Sequence, residues 1–100
     1  MATVMRMHWS GVTPEQYDQV CTEVDWEGQP ADGGRLHIAG FDDDGLNVVD
    51  VWDSPEAFQR FADERLGPVT ERILGAGNEP EVAFYPLHAV WSPSADIALT

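Results

Sequence analysis

GLNVVDVWDSPEAFQRFADERLGP, residues Gly45 to Pro68, changes its apolar period from two to about 3.6 residues at Ser54-Pro55. Leu46 to Asp53 alternates as a strand does. Ser54 is a good N-cap and Pro55 a good first helical residue. Phe58, Phe61, Ala62 and Arg65 or Leu66 then form one helical stripe. Gly67-Pro68 should break or kink this helix. Val69, Ile73 and Leu74 continue for a short turn or two, stopped by Gly75.

Upstream, Arg35 to Phe41 reads as a strand, joined to the next by the turn Asp42-Asp43-Asp44-Gly45. Before it, Gln29 to Gly34 is a loop with a proline and two glycines. Thr13 can cap a helix that starts at Pro14, with Gln16 closing a capping box and Val12 and Tyr17 spaced as a hydrophobic staple. Tyr17, Val20, Cys21 and Val24 make that helix's apolar stripe, ending near Gly28. Thr3 to Trp9 is a strand with Thr3, Met5, Met7 and Trp9 on one face and Val4, Arg6 and His8 on the other. Downstream, Glu81 to Trp91 is a last strand, interrupted at Pro86 by a bulge or an edge position. Residues 1–91 make one domain and residues 92–100 a tail, whose Ile97 and Leu99 are placed to dock on a partner chain.

The order β-α-β-β-α-β predicts an α+β, ferredoxin-like fold: a four-stranded antiparallel sheet with two helices on one face. Apolar residues lie on both faces of the strands, so the second face needs a cover. In a chain this small, a second copy is the expected one.

The chain has 18 acidic residues, five arginines and no lysine, for a net charge of −13. Such a charge repels phosphate backbones and anionic membrane surfaces. It reads as an acidic solvated surface, and halophilic adaptation has the same signature. The lone cysteine, Cys21, has no internal disulfide partner and suits a reducing cytosol. The first residues lack the basic and apolar regions of a signal peptide, and no run approaches the ~20 apolar residues of a membrane span.

The hairpin carries a geometric consequence. Any turn with an even number of loop residues puts His37, Asp50 and Trp52 on one face. A turn made by Asp43-Asp44 sets His37 directly across from Asp50; one made by Asp44-Gly45 sets it across from Trp52 and diagonal to Asp50. Directly opposed residues have Cβ atoms about 5 Å apart. A carboxylate that orients an imidazole supports a general base, and Trp52 would wall an aromatic ligand. The competing reading is a buried His-Asp bond that only holds the sheet. A bulge would flip the register and undo this placement.

His8 ends the first strand, a central neighbour of the third, and is placed as a possible third catalytic group near Asp50 or Trp52. Tyr17 could donate a proton into a pocket or be core with its hydroxyl at the surface. Arg6 could bind an anionic substrate or pair with Asp50. His88 follows Pro86, and its facing is open. No HxH or HExxH spacing supports a metal site. Cys21, on the buried stripe, reads as inert. No EF-hand, dinucleotide fingerprint, GxSxG or P-loop is present.

VVDVWDSPEAFQRFADERLGP, preceded by GVTPEQYDQV and LHIAGFDDDG, resembles small actinobacterial proteins of the dimeric α+β barrel superfamily, which includes the antibiotic-biosynthesis monooxygenase-like domains. The likeness runs from about Met5 to His88. DVWDSPEAF is its most specific part and FYPLHAV a weaker one. The resemblance implies a homodimer with a pocket between sheet and helices in each subunit. Some members oxidise or cyclise aromatic polyketides with neither metal nor organic cofactor; others degrade haem. The function it implies is therefore binding of a small hydrophobic or aromatic ligand, with cofactor-independent monooxygenase or cyclase chemistry. On this reading His37, Asp50 and His8 are catalytic, and Trp52, Tyr17, Arg6 and His88 bind substrate. The alternatives are a non-catalytic ligand-binding module, of which a regulatory amino-acid-binding domain is a variant, and a purely structural dimer.

Overall fold

The computed structural model describes residues 2–92. Strand β1 (Thr3–Ser10) is followed by helix α1 (Pro14–Val24) and the hairpin of β2 (Gly34–Phe41) and β3 (Gly45–Trp52). Helix α2 (Pro55–Phe61) passes through a π-helical turn (Ala62–Leu66) into α3 (Gly67–Leu74), and β4 (Glu81–Pro86) closes the sheet. The strands lie in the order β2-β3-β1-β4, all neighbours antiparallel. This is the ferredoxin-like arrangement that the element order predicts.

Local chemistry starts each helix where the sequence places it. Thr13 Oγ1 accepts from the Gln16 N–H and the Gln16 side chain accepts from the Thr13 N–H, a complete capping box. Ser54 Oγ accepts from the Ala57 N–H at 3.1 Å, with Pro55 in the first turn. Helix α1 stops at Val24, earlier than Gly28, because Asp25 takes a left-handed conformation (φ 57°) and returns its N–H to Cys21 O.

Two prolines mark changes in the chain's path, and Pro86 lies on an edge strand, one of the two positions expected of it. At Gly67-Pro68 the helical path continues, passing from the π-helical turn Ala62–Leu66 into α3. Pro68 has no N–H to give and its ring crowds the carbonyl four residues back. The chain widens by one residue instead, so that the Gly67 N–H reaches Ala62 O. A Cβ at Gly67 would lie 2.8 Å from that oxygen, which explains the glycine. The last strand ends at Pro86 and does not continue to Trp91. Pro86 cannot extend the ladder with a donor, and the next bond is made by Leu87 N–H to Ala2 O.

The core lies between the sheet and the helices. Met5, Met7 and Trp9 from β1 and Leu46, Val48 and Trp52 from β3 meet Val20 and Val24 of α1 and Phe58 and Phe61 of α2. Trp52 and Met5 are fully buried. The opposite sheet face carries Ile38, Val49 and Tyr85, each more than a third exposed. The proposed tail, with Ile97 and Leu99, falls outside the described residues apart from its first position.

Candidate functional site

The hairpin register decides the site. Phe41 pairs with Leu46 and His37 with Asp50, so Asp43-Asp44 forms the turn. Gly45 closes it at φ 155°, where a Cβ would fall 2.3 Å from Trp9 O, so the position excludes larger residues. The β2 irregularity lies between Gly34 and Leu36, outside the paired His37–Asp50 segment, and leaves its register intact. Across the sheet, Asp50 also opposes Met5 of β1.

A chain of hydrogen bonds follows from this placement. His37 Nδ1 is 2.7 Å from Asp50 Oδ1, and Trp52 Nε1–H donates to Asp50 Oδ2 at 3.0 Å. Tyr17 Oη, on α1, is 2.6 Å from His37 Nε2. Asp50 is only 3% exposed, so its charge needs partners, and both oxygens have one. With the carboxylate accepting at Nδ1–H, the lone pair of the imidazole is at Nε2 and the Tyr17 hydroxyl donates to it. Burial raises the Tyr17 phenol well above its ordinary value; its contact with Cys21 and the nearby Asp50 charge add to the rise. Tyr17 is thereby kept as a proton-bearing donor. Burial also raises the Cys21 thiol, which disfavours the reactive thiolate.

This polar chain borders a cavity of about 70 Å³ between sheet and helices. Met5, Val20, Val48, Phe58, Phe61 and Trp26 form its apolar walls, and Tyr17, His37 and Asp50 close one side. Trp26 sits 5.0 Å from the His37 ring and 5.2 Å from Phe61, centroid to centroid. Arg65 holds the segment that carries it: its guanidinium donates to Val24 O (2.8 Å) and Gln29 O (2.6 Å) and lies 5.3 Å from the centroid of the Phe61 ring.

The sequence-predicted residues divide cleanly. His37, Asp50 and Tyr17 come together at the cavity. Trp52 touches Asp50 from behind but does not line the cavity; at 0% exposure it supports the carboxylate, and Trp26 supplies the aromatic wall in its place. His8 is on the other sheet face, because odd and even positions of β1 point oppositely. It bonds Asn47 (2.9 Å) and Asp44 (2.5 Å), away from Asp50 and Trp52. Arg6 shares that outer face and does not pair with Asp50, whose partners are His37 and Trp52. His88 is exposed beyond the end of β4 and does not line the cavity. Among the described residues no group of three or more His, Cys, Asp or Glu side chains is placed to hold a metal ion.

Trp26 is the residue that sequence reasoning missed. The apolar stripe, continued toward Gly28, leaves Trp26 off its face, and the left-handed Asp25 is what turns it to the cavity. In the sequence Arg65 is only a stripe position; its role depends on where α1 ends.

No family model matches the chain, and no curated protein does. Solved structures share its fold. SnoaB, a cofactor-independent oxygenase from Streptomyces nogalater, is 18% identical, with 89% of this chain and 94% of that chain covered and a TM-score of 0.59. A monooxygenase from the gene ActVA-Orf6 of Streptomyces coelicolor, in complex with nanaomycin D, is 19% identical over 93% of this chain and 92% of that chain, at a TM-score of 0.54. A protein of unknown function from Nitrosomonas europaea is 13% identical over 93% and 94%, at 0.62. Among the described residues, no helix is long and apolar enough to cross a membrane. The chain therefore shares its fold with these oxygenases, in a ferredoxin-like α+β arrangement.

Proposed function

We propose that this protein binds a small, mainly aromatic molecule between sheet and helices and removes a proton from it, as a cofactor-independent monooxygenase. One observation carries the reading: the Trp52–Asp50–His37–Tyr17 chain ends at an apolar cavity. Asp50 orients His37; His37 Nε2 takes the Tyr17 proton as Tyr17 Oη takes one from an acidic C–H or O–H of the substrate. The resulting carbanion passes electrons to dioxygen, the oxidant. A C–O bond forms, the peroxide is protonated, and loss of water leaves a carbonyl, so a CH2 group and O2 become C=O and H2O. Cyclase chemistry would use the same proton abstraction without oxygen. The oxygenase names among proteins of this fold support the reading as analogy.

The working form is a homodimer in the cytoplasm. The exposed Ile38, Val49 and Tyr85 on the helix-free sheet face are the support for the dimer.

The second reading is a non-catalytic binding module or structural dimer. It is favoured by the completeness of the polar chain, in which each group already has a partner inside the protein. Oxygen uptake with 1,8-dihydroxyanthrone separates the readings. His37→Gln should slow turnover by roughly 10²–10⁴-fold. No turnover by the wild type on any acidic aromatic, with binding retained, would establish the binding module.

A further inference from the structure

We infer that the open groove between α2, α3 and the β1–β4 side of the sheet is the second compartment of the ligand site, and that it receives a positively charged, amine-bearing arm. The inference rests on the reading of the inner cavity as a ligand site.

Size is the first argument. The inner cavity holds about 70 Å³, whereas pockets for drug-sized ligands run to roughly 300–1,000 Å³. An aromatic that carries an extended side arm cannot be contained there alone. The groove beside it has a volume of about 700 Å³.

Continuity is the second. Met7, Trp9, Phe58, Leu66 and Thr70 line both spaces, so a single layer of side chains separates them. Trp9 is held in that layer by donating Nε1–H to Asn78 Oδ1 at 3.0 Å. Asn78 belongs to the α3–β4 loop, where Gly75 and Gly77 both have positive φ (96° and 82°). The partition is thus made of the side chains of Met7, Phe58, Leu66 and Thr70 and of an indole tied to a glycine-rich loop. Rotation of side chains in this single layer would join the compartments.

Charge is the third. Asp63, Glu71 and Glu79 line the groove, all three residues exposed, and no lysine or arginine is among its lining residues. Asp63 accepts from Gln59 Nε2 at 2.9 Å, and both residues line the groove. The floor, with Met7, Phe58 and Val82, is apolar. An arm with a methylene stem and an ammonium end meets both chemistries; a carboxylate end meets three like charges.

The test uses 2-naphthol as the head and three naphthols with a four-carbon arm ending in an amine, a hydroxyl or a carboxylate. Calorimetric titration of the full chain should give affinities in the order amine, hydroxyl, carboxylate. The two ends should differ by about tenfold at low salt and by less at high salt. The surface variant D63N/E71Q/E79Q should bind 2-naphthol as the wild type does and lose the order among the arms. Equal binding of all three arms, a preference for the carboxylate, or an order that survives in the triple variant would overturn the groove assignment alone. Failure of 2-naphthol itself to bind the wild type would instead remove the inner-cavity reading on which the proposal stands.

Discussion

Asp50 has a buried carboxylate whose two oxygens are occupied by different donors, His37 and Trp52. Asp50→Ala should therefore cost roughly 2–4 kcal/mol in urea unfolding, because two donors lose their partner at once. Asp50→Asn should cost less, since an amide oxygen can still accept one bond. Tyr17 makes a separate pH-dependent contribution. Its folded value is raised above the ordinary phenol value of 10.0, so the unfolded chain releases this proton first as pH rises. Stability from this group is complete below about pH 10 and falls above it. Tyr17→Phe should flatten that part of the decline in unfolding measurements between pH 9 and 11. His8 offers a control on the opposite sheet face. Hydrogen bonds to Asp44, and then Asn47, raise it above 6.5; its contribution is present below that value and lost as pH rises through the raised one. In an NMR titration, Asp44→Asn should return His8 toward 6.5.

At the scale of elements, the Gly67 Cβ space is the sharpest test of why the second helical segment survives its proline. Gly67→Ala would press a methyl against Ala62 O, 2.8 Å from where it must sit. It should destabilise by about 1–3 kcal/mol in urea unfolding, although alanine is the better helix former. Pro68→Ala should be close to neutral, because the π turn already accommodates the missing donor. These elements also show where the sequence was legible. Thr13, Gln16, Ser54 and Pro55 act within four residues of themselves, and their caps stand where the pattern puts them. The hairpin was legible, but its turn was open between Asp43-Asp44 and Asp44-Gly45; the observed Asp43-Asp44 turn fixes the register that carries His37 to Asp50. The fate of Gly67-Pro68 was not legible, since a proline can end a helix or be absorbed by a wider turn, and packing chooses. The facing of His8 was implicit in the β1 alternation, which already set it opposite Met5 and Met7. Trp26 and Arg65 depend on the left-handed Asp25, a conformation no residue count specifies.

For the whole molecule, the balance of charge and exposed apolar area matters most. A net charge of −13 on 100 residues makes the compact state repel itself. Added salt should raise the urea midpoint and strengthen self-association through the Ile38, Val49 and Tyr85 face; sedimentation at two salt concentrations would read both the dimer and its salt dependence. The central claim, however, is that His37 presents Nε2 to a ligand through Tyr17. Long-range nitrogen–proton NMR of the three histidines at pH 8, with and without 2-naphthol, tests this most directly. The account expects His37 to carry its proton on Nδ1 and its Nε2 resonance to move on ligand addition, while His8 and His88 stay in place. A His37 proton on Nε2, or a ligand that binds and leaves the His37 resonances unmoved, would contradict it.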